Sequence, residues 1–133
     1  MFWVVRGFVV AFPALNSETR RMTAESPPLA ERTCVPCPDG TPPLDASAIE
    51  PLLAQLDGWE VHDSHHLEKN YTFDNFVDAL AFVNRVGSVA EESQHHPDIY
   101  FTWGKAKLRI FSHNIDGLAE ADFVLAAKCD KLR

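Results

Sequence analysis

From Leu44 to the end of the chain, the spacing of apolar residues switches repeatedly between the period of a helix and the period of a strand. The segments follow the order helix, two strands, helix, two strands, helix. Because consecutive strands pair as hairpins, this order predicts an antiparallel sheet with the helices collected on one face. The sequence therefore predicts an α+β fold, a two-layer sandwich of four strands and a helical layer.

The helices are predicted at positions where capping residues precede an apolar stripe. Asp45 or Ser47 can cap the first helix, and Asp57-Gly58 can end it. Asp74 is expected to open the longest helix. The predicted ranges are residues 45–56, 74–92 and 118–132. The stripe expected to face the core of the longest helix consists of Phe76, Leu80, Val83, Gly87 and Ala90.

The strands are predicted from alternating apolar and polar residues. Asp63-Ser64 and Gly104-Lys105 suit the tight turns between paired strands. His65 and His66 fall beside the first turn and are expected to be solvated. Trp103 alternates with apolar neighbours and is expected in the core. The predicted ranges are residues 59–62, 67–73, 98–103 and 106–113.

Composition limits the classes of function. A length of 133 residues fits one domain, and 46% hydrophobic with 23% charged residues predicts a packed core. The net charge of −7, without a Lys/Arg stripe, disfavours direct binding to nucleic acid. No apolar run approaches the roughly 20 residues of a membrane span. Three cysteines without a convincing secretory signal predict the cytoplasm.

Residues 1–43 are expected to be an N-terminal extension and Pro-rich arm, poorly ordered at its start, before a domain at residues 44–133. Residues 1–15 are apolar but carry a single Arg and no clear cleavage site for a signal peptide. Met22 is therefore an alternative start of the protein.

The arm, residues 26–43, contains six of the nine prolines and is predicted to be a loop. Cys34 and Cys37 form a C-x-x-C pair within it, which can be redox-active or supply half of a zinc site. The sequence has no second C-x-x-C pair that could complete such a site. Ordinary thiols are therefore the favoured interpretation.

Three histidines form the candidate site. His95 and His96 follow the longest helix, Pro97 restricts them to extended geometry, and the chain can return His113 towards them. Glu91 stands four residues before His95, at contact spacing on a helix. Three interpretations stay open: a zinc site, metal-free acid–base catalysis, or surface polar residues. Adjacent residues on an extended segment point to opposite sides, which disfavours a shared metal.

These residues also match a known signature. Three residues separate Glu91 from a His-His-Pro sequence, and aromatic residues follow. His113 stands 17 residues after His96, and Asp122 stands nine after His113. This order resembles the signature of the pterin-4a-carbinolamine dehydratases, and the resemblance covers about residues 30–130. It implies a four-stranded antiparallel sheet with helices on one side.

The resemblance implies a dehydratase that removes water from 4a-hydroxytetrahydrobiopterin, gives quinonoid dihydrobiopterin and so recycles the pterin used by aromatic amino-acid hydroxylases. It implies His95 as the leading acid/base residue, with His96 and His113 completing the set. Glu91 is expected to orient His95 or bind substrate. Asp122 is expected to support His113 or contact the pterin. The candidate substrate-binding residues are Glu91, Tyr100 and Asp122.

The resemblance further implies the partners. The pterin is a substrate, so neither a cofactor nor a metal is expected, and neither is a nucleic acid or membrane partner. Homodimers or homotetramers and a functional link to an aromatic amino-acid hydroxylase are expected. Two alternatives remain: a non-catalytic assembly or dimerisation module of the same fold, known among relatives of the family, and a zinc hydrolase that uses the histidines.

Overall fold

The computed structural model describes residues 26–133, so the expectations for residues 1–25, including the alternative start at Met22, lie outside the described part. The four strands form one antiparallel sheet in the order β1-β2-β4-β3. None of the helices in the described part has the length and apolar character that crossing a bilayer requires. The elements are α1 (Ala46–Leu53), β1 (Glu60–His62), β2 (His66–Thr72), α2 (Phe76–Ser93), β3 (Asp98–Thr102), β4 (Lys105–Ile110) and α3 (Glu120–Asp130).

The core lies between the sheet and the helices, which confirms the predicted α+β two-layer fold. Most of the β2 and β4 side chains that point to the helical layer are fully buried. Burying one such side chain stabilises the fold by roughly 1.5–3 kcal/mol. The largest buried side chains from both layers are Leu67, Tyr71, Phe82, Leu108, Ile110 and Phe123.

Side-chain caps fix where the first two helices begin. Asp45 caps α1 as predicted, since its Oδ1 accepts a hydrogen bond from Ala48 N at 2.9 Å. The predicted start of α2 at Asp74 is wrong. Asn75, one residue later, is the cap, because its Oδ1 accepts a hydrogen bond from Asp78 N at 2.8 Å, and α2 therefore begins at Phe76.

The predicted core-facing stripe of α2 is wrong at two of its five positions, whereas Ala90 is buried as predicted. Phe76 and Leu80 are exposed, at 44% and 39%. The sequence has two neighbouring apolar stripes on this helix, and the stripe that was not predicted is the one that packs against the sheet. The buried residues of α2 are Ala79, Phe82, Val86 and Ala90.

The hairpin of β3 and β4 turns one residue earlier than predicted. Thr102 pairs with Lys105, so Trp103 and Gly104 form the turn. A turn residue has no strand neighbour to cover it, and Trp103 is 65% exposed rather than part of the core. The end of β4 at Ile110 also leaves His113 outside the strand.

Asp130, in the last turn of α3, fixes that helix to the sheet. Its Oδ1 accepts from Lys69 Nζ at 2.9 Å and from Tyr71 OH, and its Oδ2 accepts from Trp59 Nε1 at 3.1 Å. Burial, together with this carboxylate, raises the pKa of Tyr71 well above its ordinary value. These contacts hold α3 in place, and the other end of α3 forms part of the candidate site.

Candidate active site

His95 is placed by the way α2 ends. Gln94 has a left-handed conformation with φ of 52°, and His95 N donates to Ala90 O at 3.1 Å. This turn directs the chain away from the helix axis and places the His95 side chain inward, where it is 8% exposed. His95 Nε2 lies 2.6 Å from Asp122 Oδ1.

Asp122 combines two tasks at the start of α3. Its Oδ2 accepts from Ala119 N at 2.8 Å, which caps the helix, and from Ser112 Oγ at 2.9 Å. Its Oδ1 faces His95. Asp122 contacts His95 directly and not His113, because its two oxygens are occupied by His95, Ser112 and Ala119. Its expected contact with the pterin stays a prediction.

Glu91 pairs with His96 and not with His95. Its Oε1 lies 2.8 Å from His96 Nε2. The expected pairing with His95 assumed that the helix continued, but α2 ends at Ser93 and the reversal at Gln94 turns His96 back towards Glu91. Both partners are largely exposed.

His113 begins a 3-10 turn, His113–Ile115, and its side chain is 57% exposed. Its ring packs against Phe111, with centroids 4.1 Å apart. Its Nε2 lies 3.7 Å from Asp98 Oδ1. This distance is longer than a direct hydrogen bond, so Asp98 acts on the ring mainly through its charge.

Two carboxylates join the segment of His95 and His96 to the segment of His113. Asp122 binds both His95 and Ser112, the neighbour of His113. Asp98, two residues after His96, faces His113. The structure therefore brings the two histidine segments together, and each of the three rings has its own carboxylate. Separate roles for the three rings stay a prediction.

Tyr100 lies on the sheet face opposite the helices and is exposed, as predicted. Its ring lies under Lys107, whose Nζ is 5.0 Å from the centroid. This contact is with a cation of β4 and not with the histidines. Its assignment as a substrate-binding residue stays a prediction.

Sequence reasoning missed three residues that shape the site: Ser112, Asp98 and Phe111. Ser112 could have been suspected from its place beside His113, and Asp98 from its place after His-His-Pro. The packing of Phe111 against His113 carries no sequence signal, because it depends on the chain leaving β4 at Ile110.

The histidines of the β1–β2 hairpin are not solvated as expected. His65 Nδ1 lies 3.0 Å from His66 Nδ1, and His65 Nε2 lies 2.8 Å from Asp116 Oδ1. The ring of His65 packs on Phe111, with centroids 4.7 Å apart. Phe111 therefore lies between this hairpin and His113.

His66 predicts a pH dependence of stability. Burial, and after it the charge of Arg109, lowers the pKa of His66 below its ordinary value of 6.5. As pH falls below about 6.5, His66 takes up a proton more readily in the unfolded chain than in the folded chain. The free energy of unfolding therefore decreases as pH falls from about 6.5 towards the lowered pKa of His66. Urea unfolding between about pH 8 and about pH 5 should show a smaller loss in His66→Gln. Parallel curves for the two proteins would contradict this.

The zinc interpretation receives no support from side-chain placement in the described part. Among residues 26–133, no group of three or more His, Cys, Asp or Glu is arranged to hold a metal ion. The three cysteines are free, and Cys34 and Cys129 are buried whereas Cys37 is partly exposed. Cys37 Sγ faces an amide oxygen of Asn114.

The model of the family described as Pterin 4 alpha carbinolamine dehydratase matches residues 42–132. The chain belongs to this family. All candidate site residues, from Glu91 to Asp122, lie within the matched range.

Curated relatives agree with membership in the pterin-4-alpha-carbinolamine dehydratase family. A protein of Rubrobacter xylanophilus is 59% identical over 104 residues, which are 78% of this chain and 97% of that protein. A protein of Alkaliphilus metalliredigens is 50% identical over 104 residues, 77% of this chain and 94% of that one. Both carry the dehydratase name provisionally.

Two solved structures share the fold of this chain. One, from Brucella melitensis and titled a transcriptional coactivator/pterin dehydratase, has a TM-score of 0.65 and 25% identity over 68% of this chain and 97% of that chain. Another, titled a pterin dehydratase-like RuBisCO assembly factor of the alpha-carboxysome, has a TM-score of 0.50 and 23% identity over 57% of this chain and 89% of that one. The second likeness concerns the fold alone.

Proposed function

We propose that this protein is a hydro-lyase that converts 4a-hydroxytetrahydrobiopterin to quinonoid dihydrobiopterin and water. The observation that carries the proposal is the buried pair of His95 and Asp122, completed by Ser112, at the place where the segments of His96 and His113 meet. Family membership supplies the substrate class.

The reaction suits imidazole. The C–OH bond breaks, and the leaving hydroxide takes a proton from an acid to become water. A ring nitrogen of the pterin loses a proton to a base, so the reaction as a whole neither consumes nor releases protons. Imidazole can serve as either group near neutral pH.

His95 is the leading acid/base residue in this proposal. Because its Nε2 faces the Asp122 carboxylate, Nε2 carries the hydrogen and Nδ1 is the nitrogen that exchanges a proton with the substrate. Asp122 fixes the ring orientation and the tautomer. His96 and His113 are the exposed rings and complete the set, each beside its own carboxylate.

The surroundings of the site follow from the same proposal. Glu91 orients His96 and binds substrate, and Tyr100 forms a wall of the pterin site. The protein uses no bound cofactor or metal, works in the cytoplasm as a homodimer or homotetramer, and recycles the pterin of an aromatic amino-acid hydroxylase. These points extend the family assignment and are open to direct test.

An assay of dehydration tests the proposal. Synthetic 4a-hydroxytetrahydropterin dehydrates slowly by itself, and the purified protein should accelerate its loss, with full activity after exhaustive treatment with a chelator. No acceleration by the folded protein would reject the proposal. Activity that is lost on chelation and restored by zinc would revive the metal interpretation.

A non-catalytic assembly module is the second candidate. The observation that favours it is a set of exposed apolar side chains that a second protein would cover: Phe76, Val77, Leu80 and Trp103. The assay separates the two candidates, because a module without catalysis leaves the spontaneous rate of dehydration unchanged.

A further inference from the structure

We propose that the arm supports the active site, because it holds the turn that carries His113 in place. Asn114 is the positioning residue that joins the arm to this turn. This inference rests on the proposed dehydratase function. It adds a segment that lies mostly before the matched family range, which begins at residue 42.

Asn114 follows His113 directly and uses its whole side-chain amide on the arm. Its Nδ2 donates to Cys37 O at 2.9 Å and to Asp39 Oδ1 at 2.9 Å. Its Oδ1 lies 3.9 Å from Cys37 Sγ, which donates to it. Hydrogen bonds that involve an ionised group such as the Asp39 carboxylate are the stronger ones.

Contacts continue along the loop that leads from His113 to α3. A Cβ built on Gly117 would lie 2.7 Å from Pro43 Cβ, so only glycine allows the arm to approach this closely. Leu44 N donates to Leu118 O at 2.8 Å. The last part of the arm therefore follows the loop from Asn114 to Leu118.

The first part of the arm is anchored on α3, the helix that supplies Asp122. Leu29 is buried in the core. Arg32 Nη1 lies 2.6 Å from Glu120 Oε1, and Lys128 Nζ donates to Ala30 O at 3.0 Å. The arm is thus a second connection between α3 and the His113 turn, in addition to the main chain between them.

His113 needs such support because its own side-chain contacts are few. Its ring touches Phe111 and lies 3.7 Å from the carboxylate of Asp98, and more than half of it is exposed. Its position is therefore set by the backbone of the turn. Displacing a catalytic group by about 1 Å can lower the rate by about 10²-fold.

Reversing the amide and the carboxylate tests the contact. Asn114→Asp removes the donor and places two carboxylates against each other, so kcat should fall about tenfold or more while KM changes little. Adding Asp39→Asn restores one amide–carboxylate pair and should recover a large part of kcat. Asn84→Asp, the same change on the exposed face of α2, is the control and should keep the activity of the unmodified protein.

NMR of the His113 imidazole gives a readout that does not need activity. Its resonances, assigned with His113→Gln, should shift in Asn114→Asp and return in the double variant. If the unmodified protein shows no dehydratase activity, the proposed function fails while these resonances still test the arm. Unchanged resonances and unchanged kcat in Asn114→Asp would overturn the inference.

Alkylation of Cys37 tests the same contact in the unmodified chain, in case Asn114→Asp does not fold. Cys37 is partly exposed, whereas burial raises the pKa of Cys34 and raises the pKa of Cys129 to about 12, so iodoacetamide should modify Cys37 first. The adduct at this contact should lower kcat about tenfold, and Cys37→Ala should be insensitive to the reagent. Full activity of the alkylated protein would count against the inference.

Discussion

Replacing His95 by alanine should lower kcat for dehydration of 4a-hydroxytetrahydropterin by about 10²–10⁴-fold, because the variant lacks the ring that exchanges a proton with the substrate. His95→Gln should lose as much activity. Its side-chain amide can still donate to Asp122 Oδ1, so the buried carboxylate keeps a partner and the stability should stay close to that of the unmodified protein.

The two His95 variants together separate chemistry from folding. Single-turnover measurements give the rate of the chemical step, and urea unfolding gives the stability. His62→Gln, on the far edge strand of the sheet from β3, makes the same change outside the site and should leave kcat unaltered. A kcat for His95→Gln within about threefold of the unmodified protein would reject His95 as the leading acid/base residue.

The second large effect is expected at Asp122. Asp122→Ala should lower the free energy of unfolding by about 3–5 kcal/mol, because it leaves His95 buried without its partner. It also removes the acceptor of Ser112 Oγ and of Ala119 N. Activity should fall with it, since the ring of His95 loses the group that fixes its orientation.

Asp78→Ala is the matched control for this variant. Asp78 stands at the third position of α2, as Asp122 does in α3, but it is exposed. Replacing Asp78 by alanine should lower the free energy of unfolding by less than about 1 kcal/mol. If urea unfolding gave equal losses for both variants, Asp122 would be no more than a favourable charge at a helix start.

The order of the helices and strands could be predicted from the sequence, because the spacing of apolar residues depends only on the local geometry of a helix or a strand. Asp45 was identifiable as a cap for the same reason. The buried stripe of α2 was not predictable in this way, since two apolar stripes existed and the choice between them depends on packing against the sheet. The exposure of Trp103 was not predictable either, because it depends on where the β3–β4 hairpin turns.

The site residues were identifiable, but their partners were not. The spacing of Glu91 and His95 indicates contact only while a helix continues, and the left-handed residue Gln94 ends that relation. The pairing of His95 with Asp122 joins positions 27 residues apart. No local rule predicts such a contact, because it arises only when α3 packs against the end of α2.

In the proposed mechanism, the capping role of Asp122 links catalysis to the local stability of one helix end. When the first turn of α3 frays, Ala119 N loses its acceptor and His95 loses its support in the same event. The equilibrium between the closed and the open turn therefore sets the fraction of the protein that is active. A substitution elsewhere in the chain that favours fraying of this turn will be observed first as a poorer enzyme, before any change in the global unfolding temperature is measurable.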